Sequence, residues 1–215
     1  MRVGLFGGTF NPVHWGHLKT ADEIRKIFDL TRVIFIPTNI SPHKEPEEVV
    51  PAHHRLKMLD LVVEDNPYFF TSDVELKRHD RSYSIETITY FTQTIGKDLD
   101  LFFILGMDAF LEINTWKNYQ ELFSLCNFIV MTRPGYEVKG IHNGIPSQLM
   151  NEFTYMPDEK RFIHRSRLSI YFTEVTPIDI SSCSIRALKK NNRSINTMLP
   201  EKVNHYIEEH KFYRD

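Results

Sequence analysis

The sequence predicts an α/β fold, a Rossmann-like open parallel sheet with helices on both faces and a small C-terminal helical part. Three observations carry the expectation. Short apolar runs rich in β-branched and aromatic residues alternate with stretches whose apolar residues recur every three or four positions. That alternation of strand and helix patterns is the signature of a parallel α/β sheet. The first apolar run exits through a glycine pair directly into a helical pattern, as strands do where such sheets bind ligands.

In order along the chain, Arg2–Phe6 reads as a short buried strand running into Gly7-Gly8. Trp15, Leu18, Ala21, Ile24 and Phe28 then recur at helical spacing. Val33–Ile36 is a second strand, ended by Pro37, and the polar, proline-punctuated stretch Thr38–Val50 is a loop. Pro51 opens a helix whose stripe includes Leu56, Leu59 and Val63. Thr71–Leu76 reads as a strand and Ile85–Ile95 as a helix. Leu101–Leu105, ending at Gly106, is the clearest buried strand, and Phe128–Met131 is another, closed by Arg133-Pro134-Gly135. Tyr136–Arg167 reads as a long loop with fragments of helix. Leu168–Val175 is a strand, and helices near Ser184–Lys190 and Pro200–His210 follow. Residues 1–175 are thus expected to form the Rossmann-like core and 176–215 the helical part of one domain.

Composition narrows the function classes. With 26 basic and 28 acidic side chains the net charge is −2, which offers no electrostatic footprint for nucleic acid or an anionic membrane. No apolar run approaches membrane-spanning length, and Arg2–Phe6 is too short for a signal segment. Cys126 and Cys183 stand far apart, in no metal-ligand spacing. A cytoplasmic protein without a dedicated metal cage is expected. Any polyanion it handles must be met by locally placed groups.

Two such sets of groups stand at strand exits. The first is Gly7-Gly8-Thr9-Phe10-Asn11-Pro12-Val13-His14-Trp15-Gly16-His17. Paired glycines let backbone approach a phosphate, and the helix behind them points its first N–H groups there. His14 and His17, three apart, can present both rings to one side, with Gly16 leaving room between them. The second is Ile180-Ser181-Ser182-Cys183-Ser184-Ile185-Arg186. Serines there cap free backbone donors and also suit phosphate oxygens. Arg186 in a first turn opposes the helix dipole, a conflict that a bound anion relieves.

Together, in this order, the two sets resemble the HxGH and ISSxxIR elements of the nucleotidylyltransferase superfamily. Further blocks resemble the bacterial nicotinate-mononucleotide adenylyltransferase family: Pro37–Lys44, Glu75–Arg78 with Ser82–Thr87, Gly106-Met107-Asp108, Trp116 with Glu121-Leu122, Arg133–Gly135, and Leu199–Tyr213. Asn11 stands where that family often has aspartate, Asp80 where it has glycine, and Cys183 where it has threonine. A cysteine there is expected to turn into the core, the alternative being a thiol that faces the phosphate site.

The resemblance implies transfer of AMP from ATP to nicotinate mononucleotide, with release of pyrophosphate. It assigns ATP to Gly7, Gly8, Thr9, Phe10, His14, His17, Gly106, Asp108, Ser181, Ser182 and Arg186. His14, His17, Lys44 and Arg186 become the catalytic set, and Mg2+ would be held mainly by ATP phosphates. Lys44, Ser84, Ile85, Asp108, Trp116 and Arg133 would meet the nicotinate nucleotide, Trp116 by stacking and the Ser84 and Ile85 amides through the ring carboxylate. A helix N-cap role for Asp108, compatible with its ligand role, a core position for Trp116 and a structural turn role for Arg133 are the other readings. His43, His53, His54 and His164 read as surface residues, and Tyr68, Phe69 and Phe70 as core. The rival readings are a sister adenylyl- or cytidylyltransferase acting on another phosphate, and a non-catalytic nucleotide-binding regulator.

Overall fold

A computed structural model describes residues 1–39, 49–78, 81–95, 99–135 and 145–214. The strands hydrogen-bond in the order β3-β2-β1-β4-β5-β8-β7-β6, an α/β arrangement in which the central pairings are parallel. The chain folds into two compact units, and β1 (Arg2–Gly8) lends residues to both.

One unit comprises Met1–Phe6, Asp29–Thr31 and Tyr83–Pro177. Here β1 lies parallel to β4 (Asp100–Gly106), β4 to β5 (Asn127–Thr132), and β5 to β8 (Ser169–Glu174). The near-continuous apolar runs expected of a parallel sheet covered on both faces are present: Leu101–Leu105 and Phe128–Val130 are all buried. Helix α3 (Ser84–Thr94) buries Ile85, Ile88 and Phe91, and the short α4 (Met107–Leu111) packs against β4 and β5. Helix α5 is a single turn, Tyr119–Leu122.

The stretch Tyr136–Arg167 is more than a loop. Residues 145–167 include a short 3-10 helix, Ser147–Glu152, and two strands, β6 (Phe153–Met156) and β7 (Arg161–His164). They pair antiparallel with each other, and β7 pairs antiparallel with β8. Each strand has four residues and alternates between better and worse covered positions, with Phe162 and His164 turned inward. So short an alternation lies below what periodicity resolves. His164 is therefore not a surface residue: its Nδ1 accepts the Ser166 N–H at 3.2 Å. That leaves Nε2 as the donor to Glu152 Oε2, 3.0 Å away.

The other unit comprises Gly7–Phe28, Arg32–Ser82 and Ile178–Asp215. It holds α1 (Trp15–Ile27), β2 (Arg32–Pro37), α2 (Ala52–Val63), β3 (Phe69–Thr71), α6 (Ser182–Lys190) and α7 (Glu201–Glu209). Helix α1 buries Leu18, Ala21 and Ile24, as its spacing predicts. Strand β3 runs parallel to β2 and ends at Thr71, where the sequence predicted a strand to begin. Thr71 Oγ1 donates to Asp60 and the chain then turns, with Lys77 N–H bonded to the Asp73 carbonyl. Tyr68 and Phe70 are exposed rather than core, each under a guanidinium: Arg25 lies 4.1 Å from the Tyr68 ring and Arg32 5.1 Å from that of Phe70. His54 is half-buried, its Nδ1 2.7 Å from the Tyr206 hydroxyl, while His53 is exposed. His43 lies outside the described residues.

Among the described residues the largest fully buried side chain is a charged one, Arg55, on the face of α2 that also buries Met58 and Leu59. Its Nε donates to the Val50 carbonyl at 2.8 Å, Nη1 to that of Thr9 at 2.7 Å, and Nη2 to that of Thr38 at 2.6 Å. Burial pulls its pKa down to about 10, against the favourable charge of Glu75, so it remains a cation at neutral pH. Arg55→Ala strands those carbonyls and should cost about 3 kcal/mol or more. Arg55→Lys should recover only part of that, since an ammonium has no fork. Urea unfolding of both variants checks this, and a loss below about 1 kcal/mol for Arg55→Ala contradicts it.

Candidate active site

The residues predicted to meet ATP phosphates lie in the unit that holds α1 and α6, and those predicted to meet sugar, base or nicotinate lie in the other unit. In the first of these units, β1 delivers Gly7 and Gly8, and the Gly8 carbonyl accepts the Thr38 N–H at 2.9 Å. A Cβ on Gly8 would sit 3.1 Å from the Phe10 ring, tighter than side chains usually tolerate. Phe10 itself takes a left-handed φ of 47° and is only 2% exposed. Its ring stands edge-on to Phe35 and His17, leaving its backbone rather than its side chain to meet a ligand. Thr9 is half-buried and its carbonyl belongs to Arg55.

His14 is the N-cap of α1 and His17 its third residue. Their rings stack with centroids 3.7 Å apart and planes 29° off parallel. The His14 backbone N–H donates to His17 Nδ1 at 3.3 Å. With Nδ1 an acceptor, the neutral His17 ring carries its proton on Nε2 and is a hydrogen-bond donor there. His14 is 5% exposed, and its buried Nδ1 has no partner. Burial pushes its pKa down to about 4, so the ring is neutral at pH 7. Gly16 is what admits this ring, because a Cβ there would lie 2.8 Å from His14 Nδ1 and 2.9 Å from Cε1.

The second motif caps α6 reciprocally. Ser181 Oγ accepts the Ser184 N–H at 3.0 Å, and Ser184 Oγ accepts the Ser181 N–H at 3.2 Å. The motif is also fastened to the first one: Ser182 Oγ donates to the Pro12 carbonyl at 2.9 Å, and Arg186 Nη1 to the Asn11 carbonyl at 3.0 Å. The Ser182 hydroxyl and one Arg186 nitrogen are thus engaged with backbone, and Arg186 is half-buried. Cys183 is exposed, not turned into the core, whereas Cys126 is buried and its thiol pKa is pushed up by desolvation. Lys44 lies outside the described residues, as does Asp80.

In the other unit, Tyr83 is the N-cap of α3, and its carbonyl accepts the N–H groups of Glu86 and Thr87. The amides of Ser84 and Ile85 precede that ladder, as first-turn amides do. Trp116 is half-buried and edge-on to Phe103 at 6.2 Å. Lys117 lies 2.7 Å from Glu86 Oε1 and 4.5 Å from the Tyr83 ring, tying the Trp116 segment to the start of α3. Gly106, not Asp108, caps α4, and a Cβ on it would meet nothing within 4 Å. Asp108 is exposed in the first turn of α4, and Arg133 is exposed beyond β5, before a turn at Gly135 (φ 79°).

Comparison with known proteins identifies the family of the chain. A family model described as cytidylyltransferase-like matches residues 5–188. A probable nicotinate-nucleotide adenylyltransferase of Geotalea uraniireducens is 43% identical over the whole chain and 99% of its own length. The chain belongs to the nicotinate-nucleotide adenylyltransferase family. A second relative of the same description, from Geobacter sulfurreducens, is 44% identical over 99% of this chain and 98% of its own. The Plasmodium falciparum nicotinic acid mononucleotide adenylyltransferase, solved in complex with NaAD, shares the fold. It superposes with a TM-score of 0.72 at 16% identity, covering 99% of this chain and 97% of its own. Among the described residues of this family member, no helix is long and apolar enough to cross a membrane, and no group of three His, Cys, Asp or Glu is placed to hold a metal.

Sequence reasoning missed Arg55, Glu86, Lys117 and the linking role of Asn11. Arg55 alone had a local signal, an arginine three and four residues before Met58 and Leu59 on the buried stripe.

The depressed His14 pKa makes a prediction about stability. The unfolded chain binds a proton at this ring near its ordinary 6.5 and the folded chain only at about 4. Between those values the unfolded state holds more protons, so stability falls as pH falls. From pH 7 to pH 5 this ring should contribute about 2 kcal/mol of the loss. His14→Asn should remove that component, and chemical unfolding at both pH values should show a flatter acid slope. Equal losses in the two proteins would count against it.

Proposed function

We propose that this chain transfers AMP from ATP to nicotinate mononucleotide, forming nicotinate adenine dinucleotide and pyrophosphate. The observation that carries the reading is the stacked His14–His17 pair at the glycine-rich strand exit, fastened to the capped serine motif through Asn11 and Pro12. The phosphate monoester of nicotinate mononucleotide is largely dianionic at neutral pH and needs no general base to attack the α-phosphorus. What the chain must supply is in-line placement of two anions and donors aimed at the charge that develops. His17 Nε2–H is such a donor, His14 a neutral second ring beside it, and Arg186 with Lys44 would hold the phosphates as pyrophosphate departs. Gly7, Gly8, Thr9 and Phe10 would offer backbone, and Ser181 and Ser182 the start of α6. Gly106 and Asp108 would meet the sugar or base of the nucleotide. The Ser84 and Ile85 amides suit the nicotinate carboxylate, Trp116 its ring, and Arg133 a ribose or phosphate.

Mg2+, when bound, would neutralise charge on the departing pyrophosphate. Imidazole, hydroxyl and guanidinium groups are donors toward anions rather than ligands for a hard cation, which fits a metal held mainly by phosphate oxygens. The partners of this reading are ATP and the nicotinate nucleotide, with no nucleic acid or membrane, and the free thiols Cys126 and Cys183 suit a reducing cytoplasm. Pyrophosphate release in the presence of Mg·ATP with nicotinate mononucleotide, nicotinamide mononucleotide or phosphopantetheine tests it against a sister transferase. No release with any acceptor would leave a nucleotide-binding regulator.

Two outcomes are expected. His17→Ala should lower kcat by about a hundredfold or more, as loss of a transition-state donor does, with ATP affinity little changed. Near-normal turnover would remove His17 from the reaction. The acid nucleotide should also be favoured over the amide by roughly a hundredfold in kcat/KM, because an amide NH2 facing N–H donors leaves them unpaired. Equal efficiency on both would refute the carboxylate site at Ser84 and Ile85.

A further inference from the structure

Asn11 lies between the two phosphate motifs and is itself held from a distance. It is 3% exposed. Its side-chain oxygen accepts the Val50 N–H at 3.2 Å and the Tyr213 hydroxyl at 2.8 Å. Its main-chain carbonyl, in the same residue, accepts Arg186 Nη1. Two donors on Oδ1 fix which way the amide faces. The side chain is thereby clamped at one end and the guanidinium seated at the other. Tyr213 follows α7, 202 residues away in sequence, at a left-handed φ of 62°. Such backbone is uncommon for a bulky residue and persists where surrounding contacts hold it. Burial raises the Tyr213 pKa, so its hydroxyl remains a donor at physiological pH.

We propose that Tyr213 is a positioning residue of the phosphate site, acting through Asn11 to hold the Arg186 guanidinium where it meets the triphosphate. Tyr213 removes one degree of freedom from the Asn11 peptide, and Arg186 inherits the order. The proposal rests on the functional reading above insofar as Arg186 binds phosphate.

The test is a double-mutant cycle read on binding of ATP by calorimetry, with turnover measured alongside. Tyr213→Phe keeps the ring and its packing and deletes only the donor. It should weaken ATP binding by about five- to tenfold, the scale of one neutral hydrogen bond, raising KM for ATP while kcat changes less than about twofold. In an Arg186→Lys background, whose headgroup lacks the fork, Tyr213→Phe should change affinity by less than about twofold. A purely structural tyrosine would instead act equally in both backgrounds, and additivity overturns the proposal. So does ATP affinity of Tyr213→Phe within twofold of the parent. Wild-type protein that binds ATP but releases no pyrophosphate with nicotinate mononucleotide would sink the reaction assigned above, while the binding cycle still decides the role of Tyr213.

Discussion

A guanidinium buried at Arg55 has to be surrounded by acceptors, and those it finds are carbonyls of the glycine-rich loop and of two later segments. Thr9 belongs to the glycine-rich loop, Thr38 follows β2, and Val50 precedes α2. Three segments with no regular secondary structure of their own are thus held by one planar ion. The arrangement is costly to disturb, because a carbonyl stripped of its donor inside a protein has no water to turn to. The bond to the Thr9 carbonyl thereby fixes the glycine-rich loop at a point where its backbone is irregular.

On that base the two imidazoles are set at different tasks by their surroundings. His14 is desolvated and held neutral, with Gly16 shaped around it. His17 has its tautomer selected by the His14 backbone N–H. Two rings 3.7 Å apart would repel as a pair of cations, so a neutral His14 leaves its partner able to donate without that penalty. An N–H donor aimed at a phosphate oxygen needs a defined tautomer more than it needs a positive charge, and the helix start supplies that definition at no further cost.

Much of this was legible in the sequence, for identifiable reasons. Strands β1, β2, β4 and β5 are built on short apolar runs, and the helices α1, α3, α6 and α7 carry stripes or caps that local spacing reveals. The two motifs are local too, so they could be picked out from the chain alone. What escaped depends on contacts between distant segments. Arg55 reads as solvated until its acceptors are seen, and Lys117 meets Glu86 across 31 residues. Strands β6 and β7 exist because β8 offers an edge to pair with, not because their four-residue patterns demand it. Tyr68 and Phe70 looked like core because sequence cannot show that a guanidinium lies over each ring.

The bonds from Ser182 to Pro12, from Arg186 to Asn11 and from Tyr213 to Asn11 close loops of 170, 175 and 202 residues. Contacts this non-local form late, since the entropy of closing them must be met before they contribute. During synthesis the glycine-rich loop emerges well before these partners, a delay on the order of 10–40 s at ordinary elongation rates. A nascent chain that already contains both histidines therefore lacks the clamp on Asn11. On the proposed reading, competence to hold a triphosphate arrives only once α6 and Tyr213 have been made, so nascent chains short of them would not sequester nucleotide.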